Sequence, residues 1–122
     1  MLKLQNIAYQ IGNFALKEIN LEIADNDYFV LLGPSGAGKS VLLEIIAGII
    51  FPDSGKMIMN GKDITYLKTQ QRSIGIVFQK NAVFPHLTVN ENIAYALKLK
   101  KLNKSEIQFK TQKLALDFRI IN

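Results

Sequence analysis

An octapeptide, Gly33-Pro34-Ser35-Gly36-Ala37-Gly38-Lys39-Ser40, constrains this chain more than any other stretch. It fits the pattern G-x-x-x-x-G-K-S. An apolar run, Tyr28 to Leu32, stands before it, and a helix-type run, Val41 to Ile50, stands after it. Strand, glycine loop and helix in that order form the context of a phosphate-binding loop. Gly36 and Gly38 carry no Cβ, so the backbone there can curl around an anion. Successive N–H groups of the loop and of the new helix then point at phosphate oxygens. Lys39 supplies a point charge for the β- and γ-phosphates, and the Ser40 hydroxyl is placed to ligate Mg²⁺. A glycine-rich turn with an exposed Lys-Ser pair is the bland alternative. It leaves the agreement of flanks, spacing and residue types unexplained.

Composition narrows the setting. The 122 residues are 48% apolar and 20% charged, which suits one soluble domain around a single core. No run reaches the ~18 apolar residues of a membrane span; the longest candidate, Val41 to Phe51, is broken by Glu44. The N-terminal residues have no signal-peptide pattern. The absence of cysteine excludes disulfides and thiolate metal sites. The expected location is therefore the cytoplasm. The net charge of +5 is concentrated in Lys98, Lys100, Lys101, Lys104, Lys110 and Lys113, against Glu106 alone. This segment reads as the solvated faces of two helices. Contact with anionic headgroups is its functional alternative. A nucleic-acid strip would need interleaved aromatics, which the segment lacks.

Along the chain, Leu2, Leu4, Ile7, Tyr9 and Ile11 read as a first strand, Gly12-Asn13 as a turn, and Phe14 to Ile23 as an alternating antiparallel strand. Asp25 to Asp27 is a turn. Tyr28 to Leu32 is apolar without alternation, the pattern of a strand buried on both faces. Val41 to Ile50 is apolar nearly all round, as a buried helix is, and Phe51 to Gly55 ends it. Lys56 to Met59 reads as a short strand before an Asn60-Gly61 turn. Asp63 to Thr69 reads as irregular or a short helix, Ile74 to Phe78 as a second unalternating strand, and Gln79 to Leu87 as a loop. Thr88 with Glu91, and Asn103 with Glu106, have the spacing of capping boxes opening two helices.

Six phrases then stand in a familiar order: the octapeptide, Ala47-Gly48, Pro52 to Gly55, Asn60 to Asp63, Ile74 to Gln79, and Phe84 to Asn92. Together they resemble the N-terminal part of the ATP-binding subunit of an ABC transporter. Within that family, the run Gly36 to Gly48 and the phrase Phe84 to Val89 look most like the ATPases of molybdate, tungstate or sulfate importers. The resemblance covers essentially the whole chain. It implies an α/β fold: a P-loop NTPase core of the ABC type with an N-terminal antiparallel β region and the start of a helical subdomain, truncated. Residues 1–87 would form the β-rich P-loop core with its Q-loop, and residues 88–122 the start of the helical subdomain. The backbone of Gly33, Pro34, Ser35, Gly36, Ala37, Gly38, Lys39, Ser40 and Val41 would hold ATP. Lys39 and Gln79 would serve catalysis, with Ser40 and Gln79 on Mg²⁺. Gln79 matches the Q-loop glutamine; an amide can accept from water and ligate a cation. The implied partners are a transmembrane permease subunit and a second ATPase subunit, on the inner face of the cell membrane. The loop from Gln79 to Leu87, with Phe84, Pro85 and Leu87 as apolar anchors, would dock on the permease. His86 is then a loop residue at that contact.

Two departures accompany the resemblance. The family stacks adenine on an aromatic just before the first turn, where this chain has Ile11; Tyr9 or Phe14 could substitute, and a core role fits either equally. The family also continues into a Leu-Ser-Gly-Gly signature and a strand ending in Asp-Glu. Neither occurs within these residues, so a fragment is expected, inactive by itself. Two other readings stay open: another P-loop NTPase, and a non-catalytic nucleotide-binding or docking module. A GTPase would need Asn-Lys-x-Asp, and the nearest match, Asn103 to Glu106, ends in the wrong acid and reads as a helix cap.

Overall fold

The computed structural model describes residues 1–80 and 82–120, which fall into two compact units, Met1–Ile76 and a second from Val77 onward. The first unit contains β1 (Leu2–Ile11), β2 (Phe14–Ile23), α1 (Lys39–Ala47), β3 (Ser54–Met59), β4 (Lys62–Asp63) and α2 (Thr69–Arg72). The second contains α3 (Val89–Leu99) and α4 (Lys104–Asp117).

The strands form one antiparallel sheet in the order β2-β1-β3-β4. β1 and β2 turn at Gly12-Asn13, with Ile11 opposite Phe14 and Leu2 opposite Ile23. Their ladder shifts between Leu4 and Ile7 and again between Ile7 and Tyr9. The apolar pattern contains the same irregularity, because Leu4 and Ile7 are both buried although three positions apart. A bulge restores a common face after such a step. An amide pair secures it: Asn6 N–H donates to Asn20 Oδ1 at 2.9 Å, and Asn20 Nδ2 donates to Asn6 Oδ1 at 3.0 Å.

The core of the first unit is Leu4, Ile7, Leu16, Leu42, Ile45, Met57 and Ile64. Helix α1 supplies Leu42 and Ile45, and the sheet supplies Leu4, Ile7, Leu16 and Met57. Ile7, Ile45 and Met57 are fully buried, a burial that contributes about 1.5–3 kcal/mol per side chain. Tyr9 and Phe14 pack against this cluster.

Two expected strands are not formed. Tyr28 to Leu32 and Ile74 to Phe78 have no regular secondary structure and no ladder partners among the described residues. Tyr28 is 95% exposed and Val77 98% exposed. An unalternating apolar run marks a segment suited to burial on both faces. It does not supply the neighbours, which a parallel strand reaches only through crossovers. Helix α1 also departs from an all-round buried helix. It ends at Ala47, and Leu43 is half exposed while Leu42, Ile45 and Ala47 face inward. The expected short helix lies slightly later than Asp63 to Thr69, at Thr69–Arg72.

In the second unit both capping boxes form. Thr88 Oγ1 accepts from Glu91 N–H at 3.2 Å, and Thr88 N–H donates to Glu91 Oε2 at 2.9 Å. Asn103 Oδ1 accepts from Glu106 N–H at 2.8 Å. The Thr88 backbone N–H and then its hydroxyl hold the Glu91 carboxyl below the usual carboxylate range. A carboxylate whose folded pKa is depressed contributes stability above its unfolded pKa and loses it as pH falls through the folded value. Thr88→Ala removes one of the two donors. In this variant Glu91 should titrate at a higher pH than in wild type, and α3 should fray at a less acidic pH. Carboxyl NMR titration checks the first and circular dichroism the second.

Candidate functional site

The octapeptide is a loop that ends on the first turn of α1. Gly38 is the N-cap, in left-handed backbone with φ 90°. Two observations favour glycine there. A Cβ on Gly38 would lie 2.6 Å from Phe14 Cζ and 2.7 Å from Leu16 Cδ2. Left-handed backbone is in addition costly for residues bearing a Cβ. The β2 strand thus forms the floor beneath the loop, and Phe14 has a structural task at the phosphate loop that fits its packing position. The Ala37 N–H donates to Pro34 O at 3.3 Å, closing the loop's own turn.

The ladder of α1 begins with Leu42 N–H donating to Gly38 O at 2.9 Å. The amides of Lys39, Ser40 and Val41 precede it, as the first amides of any helix do. The first turn holds no acidic side chain, so the positive end of the helix dipole is not offset by α1 itself. Lys39 folds back over the loop, its Nζ donating to Gly33 O at 2.8 Å and Pro34 O at 2.7 Å. Ser40 is exposed and Val41 half-buried. Gly33 to Val41 are therefore one continuous stretch of loop and helix start, with a cation tethered across the loop. The donor set suits an anion: amides, a helix N-terminus and one ammonium group.

At the other end of α1, Gly48 is the C-cap with φ 79°. Its carbonyl accepts from Thr69 Oγ1 at 3.0 Å, and Arg72 reaches into the same turn. Arg72 is 1% exposed. Burial lowers its pKa, yet four backbone carbonyls surround the guanidinium. The sequence reading assigned Arg72 nothing. It stands in the polar stretch Lys68 to Ser73, and neither spacing nor neighbours distinguish it there.

Gln79 lies in the second unit, exposed, in the non-helical segment before α3. The later part of that segment is fixed by Asn92, whose side chain accepts from Phe84 N–H at 2.8 Å and donates to Phe84 O at 3.1 Å and to Leu87 O at 3.1 Å. The Phe84 ring packs on Tyr95 with centroids 4.5 Å apart, and His86 meets Phe84 edge-on at 6.0 Å. Asn92 and Tyr95 are the residues of this loop's framework that the sequence reading missed. Asn92 could have been found from its place one turn into a capped helix, facing back over the preceding loop. Asn81 lies outside the described residues. Among the described residues no group of three or more His, Cys, Asp or Glu could hold a metal ion, and no helix is long and apolar enough to cross a membrane.

Residues 16–120 match the family profile described as ABC transporter. A molybdate/tungstate import ATP-binding protein of Methanocaldococcus jannaschii is 51% identical over 115 residues, 94% of this chain and 38% of the relative. Its counterpart in Pyrococcus horikoshii is 45% identical over 115 residues, 94% of this chain and 33% of the relative. A sulfate/thiosulfate import ATP-binding protein of Thermosynechococcus vestitus is 44% identical over 114 residues, 93% of this chain and 34% of the relative. The chain thus spans little more than a third of the length of these relatives. Among solved structures, a dimeric ATP-binding cassette in a post-hydrolysis state, bound to ADP and Pi, superposes with a TM-score of 0.79 at 29% identity, covering 93% of this chain and 55% of that one.

Proposed function

Because this chain belongs to the ABC transporter family, we propose that it is the N-terminal part of the ATP-binding subunit of an importer, and that Gly33 to Val41 hold the phosphates of Mg²⁺–ATP. The fold is that of the ABC ATPases, with the antiparallel N-terminal sheet and helices described above. The observation that carries the proposal is the phosphate loop itself. Gly38 opens α1 in left-handed backbone that glycine adopts most readily, close beside Phe14 and Leu16, and Lys39 is tethered across the loop on two carbonyls. Lys39 exchanges those carbonyls for phosphate oxygens when nucleotide enters. The loop amides would bind the same oxygens and the Ser40 hydroxyl would hold Mg²⁺; Gln79 is a further candidate Mg²⁺ ligand by its match to the family's Q-loop glutamine alone. Mg²⁺ neutralises charge on the phosphates when bound. Gln79 orients the attacking water.

The relatives named for molybdate, tungstate and sulfate import share one solute chemistry, a tetrahedral oxyanion. We take that as the transported class. Docking on a permease through Gln79 to Leu87, pairing with a second ATPase subunit, and residence at the inner membrane face belong to the same reading. So does the division into a core at 1–87 and a helical subdomain from 88. The apolar segments Tyr28 to Leu32 and Ile74 to Phe78 are proposed to take their ladder partners from sequence of the kind the longer relatives carry beyond this match.

Positioned water and stabilised charge act as a unit in phosphoryl transfer, and removing members gives non-additive losses. Residues 1–122 alone should therefore bind Mg²⁺–ATP weakly and release no phosphate above background. Co-expression with the C-terminal segment of a molybdate/tungstate relative should bring turnover. Calorimetry and a phosphate-release assay measure both. No heat of binding for wild type under either condition rejects the nucleotide site. Robust hydrolysis by residues 1–122 alone rejects the assignment of the missing catalytic groups.

A further inference from the structure

Arg72 is the charged side chain buried among the described residues, and all its strong acceptors are backbone carbonyls. Nη1 donates to Ile45 O at 2.7 Å and Ile46 O at 2.9 Å, Nη2 to Thr65 O at 2.8 Å, and Nε to Leu67 O at 2.7 Å. Ile45 and Ile46 lie in the last turn of α1, where carbonyls run out of helical amide partners; Ile45 O also accepts from the cap Gly48 N–H at 3.1 Å. That turn has no basic residue of its own. Arg72 therefore supplies from α2 the cation that the negative end of a helix dipole favours. Thr69, three residues earlier, takes the Gly48 carbonyl. The short α2 helix works as a capping device for α1.

An apolar side chain would fill the same space without the cost of desolvating a charge. The arrangement does what an apolar plug does not: it ties the end of α1 to the Thr65–Leu67 segment by two directional bonds to each. We infer that Arg72 is a positioning residue for the phosphate loop. It fixes the rotation and axial placement of α1, whose opposite end carries Gly38, Lys39 and Ser40. A nine-residue helix transmits such placement over about 13 Å with little bending. The inference rests on the nucleotide-binding reading only for its affinity readout.

The test compares Arg72→Met and Arg72→Lys with Leu4→Ala, a core substitution in β1 that destabilises the same unit and removes no hydrogen bond from the C-terminal turn of α1. All are measured where circular dichroism shows each variant fully folded. Two readouts are taken: hydrogen exchange of the amides at 38–42 in nucleotide-free protein, and Mg²⁺–ATP affinity. Arg72→Met should speed loop exchange and weaken ATP, each by roughly tenfold, the equivalent of about 1.4 kcal/mol. Arg72→Lys, which keeps the charge and loses the fork, should fall between. Leu4→Ala should lower the melting temperature and move both loop readouts less than Arg72→Met does. If Arg72→Met fails to fold, Arg72→Lys carries the same comparison. Unchanged loop exchange in the folded Arg72 variants overturns the inference. Failure of wild type to bind ATP overturns the nucleotide reading instead, and the exchange comparison still decides the role of Arg72.

Discussion

Gly48→Ala should unfold the first unit or lower its melting temperature by roughly 15 °C or more. The left-handed backbone at this position costs a residue with a Cβ about 1 kcal/mol. Steric conflict costs more. A Cβ on Gly48 would lie 2.5 Å from Arg72 Nε and 2.8 Å from Arg72 Cζ, so the guanidinium must move. Moving it strips donors from the carbonyls of Ile46, Thr65 and Leu67, while Ile45 O keeps the Gly48 N–H. Each acceptor left buried and unpaired costs about 1–3 kcal/mol. A total near 3–5 kcal/mol is a large share of the 5–15 kcal/mol that holds a small domain together, and about 4–8 °C of melting temperature accompanies each kcal/mol at this size. The two positions should be strongly non-additive. In Gly48→Ala/Arg72→Ala the clash is gone, so the double variant should be less destabilised than the sum of the singles. Thermal denaturation of the four proteins in the cycle measures this. Additive losses would show that Gly48 acts through its own backbone alone.

Lys39→Ala should weaken Mg²⁺–ATP binding by about 10- to 150-fold, the equivalent of losing a charge-assisted contact worth ~1.5–3 kcal/mol. The loss is specific to the phosphates distal to the ribose, so adenosine and AMP should bind wild type and variant alike. Lys39→Arg should not restore affinity, because a planar fork replaces a compact point charge. In the nucleotide-free protein the variant also loses the tether to Gly33 O and Pro34 O, which should leave the loop more mobile while the melting temperature changes little. Calorimetry against ATP, ADP and AMP separates these outcomes. Equal ATP affinity in a folded variant would remove Lys39 from the site.

Local patterns carried most of what the sequence made legible. The β1–β2 hairpin was readable because alternation and a Gly-Asn turn are encoded by neighbours. The helix starts at Val89 and Lys104 were readable because a capping box needs only four consecutive residues. The Gly33–Ser40 loop leading into α1 was readable because its glycines and the helix start after them fall at fixed spacing. What failed was non-local. Tyr28 to Leu32 and Ile74 to Phe78 have the composition of buried strands, but pairing is a property of two segments and the run specifies only one. Arg72 was invisible for the same reason. Its partners are carbonyls, which every residue carries and no sequence pattern displays. Asn20 and Asn92 are lesser cases, polar residues whose tasks are set by the backbone groups they meet.

The two glycines that bound α1 also set the helix's tolerance to insertion and deletion. Gly38 fits under Phe14 and Leu16, and Gly48 fits under Arg72, each in the one direction where a Cβ is missing. One residue added between them would turn one end relative to the other by about 100° and advance it ~1.5 Å. Either glycine would then present a side-chain-bearing neighbour to the contact it now leaves open. Length change in this family member is therefore confined to places such as the turns at Gly12-Asn13, Asp25-Asn26 and Asn60-Gly61. The number of residues from Lys39 to Ala47 is thereby held at nine.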